Sequence, residues 1–375
     1  MTEAGDRRAQ ACASLRVDFS RAAGAAVLAP SVHNTQPWRF VIGSSTLQIH
    51  ADRSRGLQVL DPTGRLLAIS CGAAVLHAKL SLRASGRSAI VRLLPDDDDR
   101  DHLATIEVAT ASAPTAQELA LAEAIANRHS QREPFSAMPV PMALAAALVG
   151  AADEEGAWLR PVEGNEELLV LATLLRHADW LQRTEPGYRA ELREWLRTEP
   201  STDGVPIWAL AAAGVERGEI LLREFDLDSS RVAARFHAGV VNAVEHPLLA
   251  ILSTGSDGVA DWVVAGQALA RVLLAATAAG FSASILGQVV DLPATRSALR
   301  RRLALRGPAQ VALRVGHGPL EARPHRDGHW RKSSTLRRIR PSHRGPDPVV
   351  QRCGRPAHPR VEERHERREE RRGIQ

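Results

Sequence analysis

Within ten residues, Ala29-Pro30-Ser31-Val32-His33-Asn34-Thr35-Gln36-Pro37-Trp38, the chain places a hydroxyl and two carboxamides beside an indole. Two prolines restrict the backbone at either end, leaving a stiff loop between a helical and an extended segment. Ser31, Asn34 and Gln36 can donate and accept along the edge of a planar heterocycle, whose ring nitrogens and carbonyls alternate in polarity. The same residue types also build an Asx-type turn that holds no ligand, and their chemistry alone leaves both readings open. A second cluster, Arg128-His129-Ser130-Gln131-Arg132, sets two guanidinium groups four residues apart around a hydroxyl. Such a group can surround a phosphate with charge-assisted hydrogen bonds; ordinary surface charge is the competing reading.

The elements that must position these residues follow from periodicity and breakers. A helix is expected over Leu15–Leu28, ending before Pro30. Trp38–Ile42 and Leu47–Ala51 read as a hairpin turning at Gly43-Ser44-Ser45. The turn Asp61-Pro62-Thr63-Gly64 launches a helix over Arg65–Ser85, whose run Ser70-Cys71-Gly72-Ala73-Ala74 is small enough to admit another backbone closely. Strands follow at Ala89–Leu94 and Leu103–Ala109, with Asp96–Asp99 as their loop, and helices at Gln117–Ala126, Met142–Ala152 and Glu166–Gln182. Arg189 to His246, interrupted by Pro200, Gly204, Pro206 and Gly214, reads as an insertion or lid with short helical pieces near Trp208 and Val232. Regular structure resumes with a strand at Pro247–Leu252 and a helix at Val259–Ala279. After a turn over Gly280–Gln288 come a helix at Pro293–Leu303 and a strand at Gln310–Val315. This order is α+β.

Composition excludes several classes. At 375 residues the chain is long for one core. Cys12, Cys71 and Cys353 are scattered without metal or redox spacing, so neither a disulfide framework nor a metal site is expected, and the cytoplasm is the expected compartment. The N-terminus has no leader pattern. The apolar run Val263–Phe281 is broken by Gln267 and Arg271, which marks a buried helix and no membrane partner. The net charge of +5 divides unevenly. Glu321–Gln375 holds sixteen Arg and Lys against eight Asp and Glu, a balance of +8 that leaves the body at −3. An acidic body does not point to nucleic acid. The tail has no periodic apolar residues and is expected to be disordered. With two lysines against 46 arginines, the coding sequence is expected to be GC-rich, and the tail resembles what a shifted frame would yield. The alternative is a basic nucleic-acid-binding arm.

The string A-P-S-V-H-N-T-Q-P-W resembles the flavin-contacting loop of the nitroreductase superfamily, and in its full length that of the Acg-type branch, in which two halves are fused. Arg128-x-Ser130-x-Arg132 resembles the family element that holds the flavin phosphate and ribityl chain, with His129 and Gln131 as departures. Gly280–Gln288 resembles the loop beside the reactive edge of the flavin. The strand ending at Gly316 resembles the family's closing strand. The resemblance implies a nitroreductase-like α+β fold in two halves, 1–115 and 116–320, the latter with a lid-like insertion at about 189–246, followed by a tail at 321–375. It implies FMN as cofactor, contacted by Pro30, Ser31, Asn34, Gln36, Arg128, Ser130, Arg132, Ser284, Ile285 and Gly287. Arg314 and Arg326 are further candidates for the phosphate end.

The first half has the loop but no phosphate element, and the second the reverse, so one composite site is expected in a monomeric pseudo-dimer or weak homo-oligomer. The implied activity passes electrons from NAD(P)H to a nitroaromatic or quinone. No side chain is assigned a catalytic role, because the cofactor carries the chemistry. The alternative is a lid-closed flavin-binding protein without turnover.

Overall fold

The computed structural model describes residues 3–132, 135–199, 201–207, 216–217, 220–221, 245–318 and 339–341. Helix α1 (Glu3–Ala26) leads into β1 (Trp38–Ile42) and β2 (Thr46–Ala51), then α2 (Arg65–Ala84), β3 (Arg87–Leu93) and β4 (His102–Ala111). Helices α3 (Ala116–Asn127) and α4 (Met142–Asp153) precede β5 (Trp158–Pro161), α5 (Gly164–Thr184) and α6 (Pro186–Glu194). Four two-residue strands follow: β6 (Leu196–Arg197), β7 (Val205–Pro206), β8 (Glu216–Arg217) and β9 (Ile220–Leu221). After β10 (Leu248–Ser253) come α7 (Val259–Ala278), β11 (Ser282–Ile285), α8 (Gln288–Asp291), α9 (Pro293–Arg302), β12 (Ala309–Gly316) and β13 (Ile339–Pro341). The fold is α+β.

Two main sheets result, ordered β13-β1-β2-β4-β3 and β11-β12-β10-β5, beside the two-stranded pairs β6-β7 and β8-β9. In the first, burial alternates: Trp38, Phe40 and Ile42 of β1 and Leu47, Ile49 and Ala51 of β2 join one core with α1 and α2. This is the pattern of an antiparallel sheet covered on one face. Strand β12 of the second sheet is buried at every position. Val311, Leu313 and Val315 pack with α4 and α7, while Ala309 and Ala312 pack with α5, α8 and α9. Covered on both faces, it loses the alternation.

Three expectations need correction. The stretch Gly280–Gln288 is not a plain turn: it contains β11, which pairs with β12. Strand β5 and helix α6 were not anticipated. The tail is not wholly without structure, since β13 pairs in parallel with β1, Phe40 opposite Ile339, and covers an otherwise open edge. The helical pieces near Trp208 and Val232 lie outside the described residues.

Between the sheets, α2 crosses α7 at Gly72 and Gly266. A methyl group at Gly72 would stand 2.1 Å from the Val263 carbonyl oxygen, and one at Gly266 would stand 2.0 Å from that of Ile69. Both helices are long and apolar enough to cross a membrane, and most of each is buried in protein here. The charge that interrupts α7 is used locally: Arg271 bridges Glu154 at 2.9 Å and also pairs with Glu155, which Lys79 of α2 reaches at 3.3 Å. Gly72→Ala or Gly266→Ala forces the backbones apart and is expected to cost about 3 kcal/mol, read as a lowered urea midpoint.

At one end of the first sheet, the rings of His50 and His102 stack with centroids 4.3 Å apart. Burial, and next the neighbouring His102, hold His50 down to about 4, from its ordinary 6.5. Burial lowers His102 as well, against the opposing pull of Asp99 and Asp96. The unfolded chain therefore takes up protons first, so stability is full above about pH 6.5 and falls as pH drops toward 4. Asp61, pushed up by burial from 3.8 to about 6, acts in the opposite sense over that interval. His50→Gln is expected to flatten the loss between pH 6.5 and 4, measured by thermal unfolding across that range.

Candidate functional site

One cavity of about 180 Å³ lies where the two sheets' elements meet. From the loop after α1 come Pro30, Ser31, Val32 and His33; from α2 come Leu66, Ile69 and Ser70. The opposite wall is Ser130, Arg132, Leu269 of α7, and Ser284 to Gly287 around the end of β11. Val290, Asp291, Gln310 and Val311 complete the lining. Seven of the residues singled out from sequence therefore line one space: Pro30, Ser31, Ser130, Arg132, Ser284, Ile285 and Gly287. They come from three segments spread over more than 250 positions.

Local geometry explains how they converge. Ser70 accepts from the Val32 backbone N–H at 3.2 Å while donating to the Leu66 carbonyl at 2.7 Å, tying the loop to α2. Ser31 Oγ accepts from the Gln36 backbone N–H at 3.0 Å. Ser130 bridges to Ala283, and the Gln131 N–H donates to the Ala283 carbonyl at 2.8 Å, which brings the arginine segment alongside β11. Arg65 of α2 is buried and reaches across to β12, donating to the Gln310 carbonyl at 2.8 Å and to that of Val290 at 2.8 Å.

The cavity is electrically polarised. Among the described residues no carboxylate pairs with Arg132, and burial alone pushes its pKa down. A guanidinium desolvated without a counter-charge is a ready anion site. Asp291 lies at the other end and accepts from Gln182 at 3.3 Å. Ala283, beside Ser130, faces Val315, whereas Arg65 meets β12 at Gln310, five residues away. At the rise of an antiparallel strand that separation is about 17 Å.

Other sequence candidates lie elsewhere. Asn34 and Gln36 do not line the cavity: Asn34 Nδ2 donates to the Gly204 carbonyl at 3.0 Å, and Gln36 Nε2 donates to that of Thr202. Arg128 donates to the Leu28 carbonyl at 3.4 Å. Arg314 is neither at the surface nor on the cavity wall. It is fully buried, paired with Glu245 at 2.8 Å, and its Cζ stands 4.5 Å from the Phe135 ring centroid. Arg326 lies outside the described residues. The apolar lining from α2, α7 and α8 was not anticipated as site, because in sequence these residues are indistinguishable from core.

No family model matches the chain. It is similar to a protein of Mycobacterium tuberculosis strain H37Rv named as a candidate NAD(P)H nitroreductase. The identity is 33% over 311 residues, which cover 80% of this chain and 85% of the relative. An uncharacterised protein of the same strain is 32% identical over 296 residues, covering 78% and 84%. Acg, also named there as a candidate NAD(P)H nitroreductase, is 28% identical over 291 residues, covering 78% and 86%. A solved nitroreductase with bound FMN from Bacteroides fragilis NCTC 9343 is similar at 15% identity over 56% of this chain and 96% of that one, with a TM-score of 0.29. With a third of its residues shared across most of both chains, this protein belongs to the nitroreductase family, alongside Acg and its mycobacterial relatives.

Proposed function

We propose that the chain is a fused two-half pseudo-dimer that binds one FMN in the composite cavity and passes electrons from NAD(P)H to a nitroaromatic or quinone. The observation that carries this reading is Arg132: a desolvated cation with no carboxylate partner among the described residues, on the wall of a largely apolar cavity. A flat, largely apolar ring with an anionic tail suits that slot. The names of the mycobacterial relatives supply the nicotinamide donor and the oxidoreductase class. When bound, FMN supplies two-electron redox chemistry between a nicotinamide and an acceptor.

The chain's own residues would do the following. Arg132, with the Ser130 and Ser284 hydroxyls, takes the phosphate by charge-assisted hydrogen bonds. Leu66, Ile69, Leu269 and Val311 cover the ring and keep water from it. Ser31 and the backbone of Gly287 are placed to meet polar ring edges. Asp291, at the opposite end from Arg132, repels a phosphate and so sets the direction in which the ligand lies.

A second reading is a flavin-holding protein without turnover. It is favoured by the described part of the insertion, which is bonded to the cavity loop through Asn34 and Gln36. Purified protein is expected to carry about one FMN per chain, measured by release and absorbance, and two per chain would overturn the single composite site. NAD(P)H oxidation by the loaded protein with a nitroaromatic acceptor separates enzyme from holder: turnover supports the first reading and its absence the second.

Arg132 yields a sharper test. Arg132→Met removes a charge that the empty site holds at a cost, so the ligand-free protein is expected to gain roughly 1 kcal/mol while FMN affinity falls at least tenfold. Denaturant melts paired with FMN titration measure both, and a variant that loses stability without losing affinity would contradict the assignment.

A further inference from the structure

The insertion is more than a cover. One described part of it, a strap of residues 195–199 and 201–206, is fastened to the outer side of the loop whose inner side lines the cavity. Asn34 Nδ2 donates to the Gly204 carbonyl at 3.0 Å, and the Gly204 N–H donates back to the Asn34 carbonyl at 3.1 Å. Gln36 Nε2 donates to the Thr202 carbonyl. Between these contacts, Arg55 donates both to the Thr35 carbonyl and to Asp203. Arg197 donates to the same carboxylate at 3.1 and 3.2 Å, and Ser201 Oγ does so at 3.1 Å. The Trp195 ring underlies both guanidinium groups, 5.2 Å from the Arg55 Cζ and 5.6 Å from that of Arg197.

The loop needs such support. His33, Asn34 and Gln36 have φ of 45°, 53° and 50°, three non-glycine residues in the left-handed region within four positions. That conformation is costly and persists where neighbours over-determine it. On the cavity side, Ser31 and Ser70 each contribute one hydrogen bond to this loop's backbone. The strap supplies the denser set.

We infer that the strap is a buttress of the binding site and that Asp203 is its positioning residue. Clamped between Arg55 and Arg197, the carboxylate holds the strap on the loop, and the strap holds Ser31, Val32 and His33 toward the cavity. The inference rests on the FMN reading of that cavity. Burial would raise the Asp203 pKa, but the hydrogen bonds from Arg55 and Arg197 outweigh it and keep the group ionised. None of the described strap residues lines the cavity. Loosening the strap therefore weakens the ring end of the site rather than unblocking it, the reverse of what a lid requires.

The test uses the full chain with Asp203→Ala, Asp203→Glu and Gly204→Ala. The last places a methyl group 2.6 Å from the Trp195 carbonyl oxygen and 2.9 Å from Arg197 Nε at a residue with φ of +75°, dislodging the strap without removing a charge. FMN affinity is measured by flavin fluorescence, inorganic phosphate affinity by calorimetry, and amide hydrogen exchange over residues 31–38 without ligand. Asp203→Ala and Gly204→Ala are expected to weaken FMN about tenfold. They should leave phosphate binding unchanged and speed exchange over 31–38 about tenfold. Asp203→Glu should recover most of each effect. Unchanged or tighter FMN binding in Asp203→Ala would overturn the inference, as would unchanged exchange over 31–38 or an equal loss of FMN and phosphate affinity. If the unaltered protein binds phosphate but no FMN, the cofactor reading fails, and the exchange data still judge the buttress.

Discussion

Helices α2 and α7 meet backbone to backbone, and that approach requires that neither Gly72 nor Gly266 carry a side chain. Everything around the cavity depends on this contact. It sets Leu66, Ile69 and Ser70 against Leu269 of the facing helix as walls of the cavity. It also brings Arg65 within reach of β12, where its buried charge is met by carbonyl oxygens of Gln310 and Val290. A larger residue at the crossing would move two cores at once, because both helices contribute to the packing of both sheets.

The site is assembled from pieces that are individually unremarkable. A loop after one helix, an arginine after another and a four-residue strand each have ordinary structural roles. Their joint effect is a slot with a cation at one end, a carboxylate at the other and aliphatic walls between. In the FMN reading proposed above, charge placement would set the ligand's orientation and the aliphatic walls most of its contact. The loop Pro30–Trp38 serves two surfaces: its first residues face the slot, and its carboxamides face the strap.

Much of this was legible in the residues. Prolines at 30 and 37 bracket the loop, alternation marks β1 and β2, and the small run in α2 announces a close crossing. What was not legible depended on distant partners. Strand β11 is four residues long in a glycine-bounded stretch, and pairing with β12 makes it a strand. Arg314 looked available for an anion because Glu245, 69 positions away, cannot be seen from the strand. Asn34 and Gln36 could be recognised as hydrogen-bonding groups, but not which way they point, since that is set by carbonyls nearly 170 residues later. Helix α6 hid inside a segment read as irregular, although Pro186 at its first turn and Glu185 as its cap were local signals.

Strand β13 has a consequence for how the cavity fills. Its pairing with β1 returns the chain, after it has passed through the second sheet, to the edge of the first. Where two separate subunits share a site, a ligand can leave by their dissociation. Here the connection is covalent and the far end is stitched back, so parting the sheets would mean unzipping a strand as well as prising apart two helices. On the cofactor reading proposed above, ligand exchange through the rim of the slot, by loop motions rather than by separation of the sheets, is the expected route.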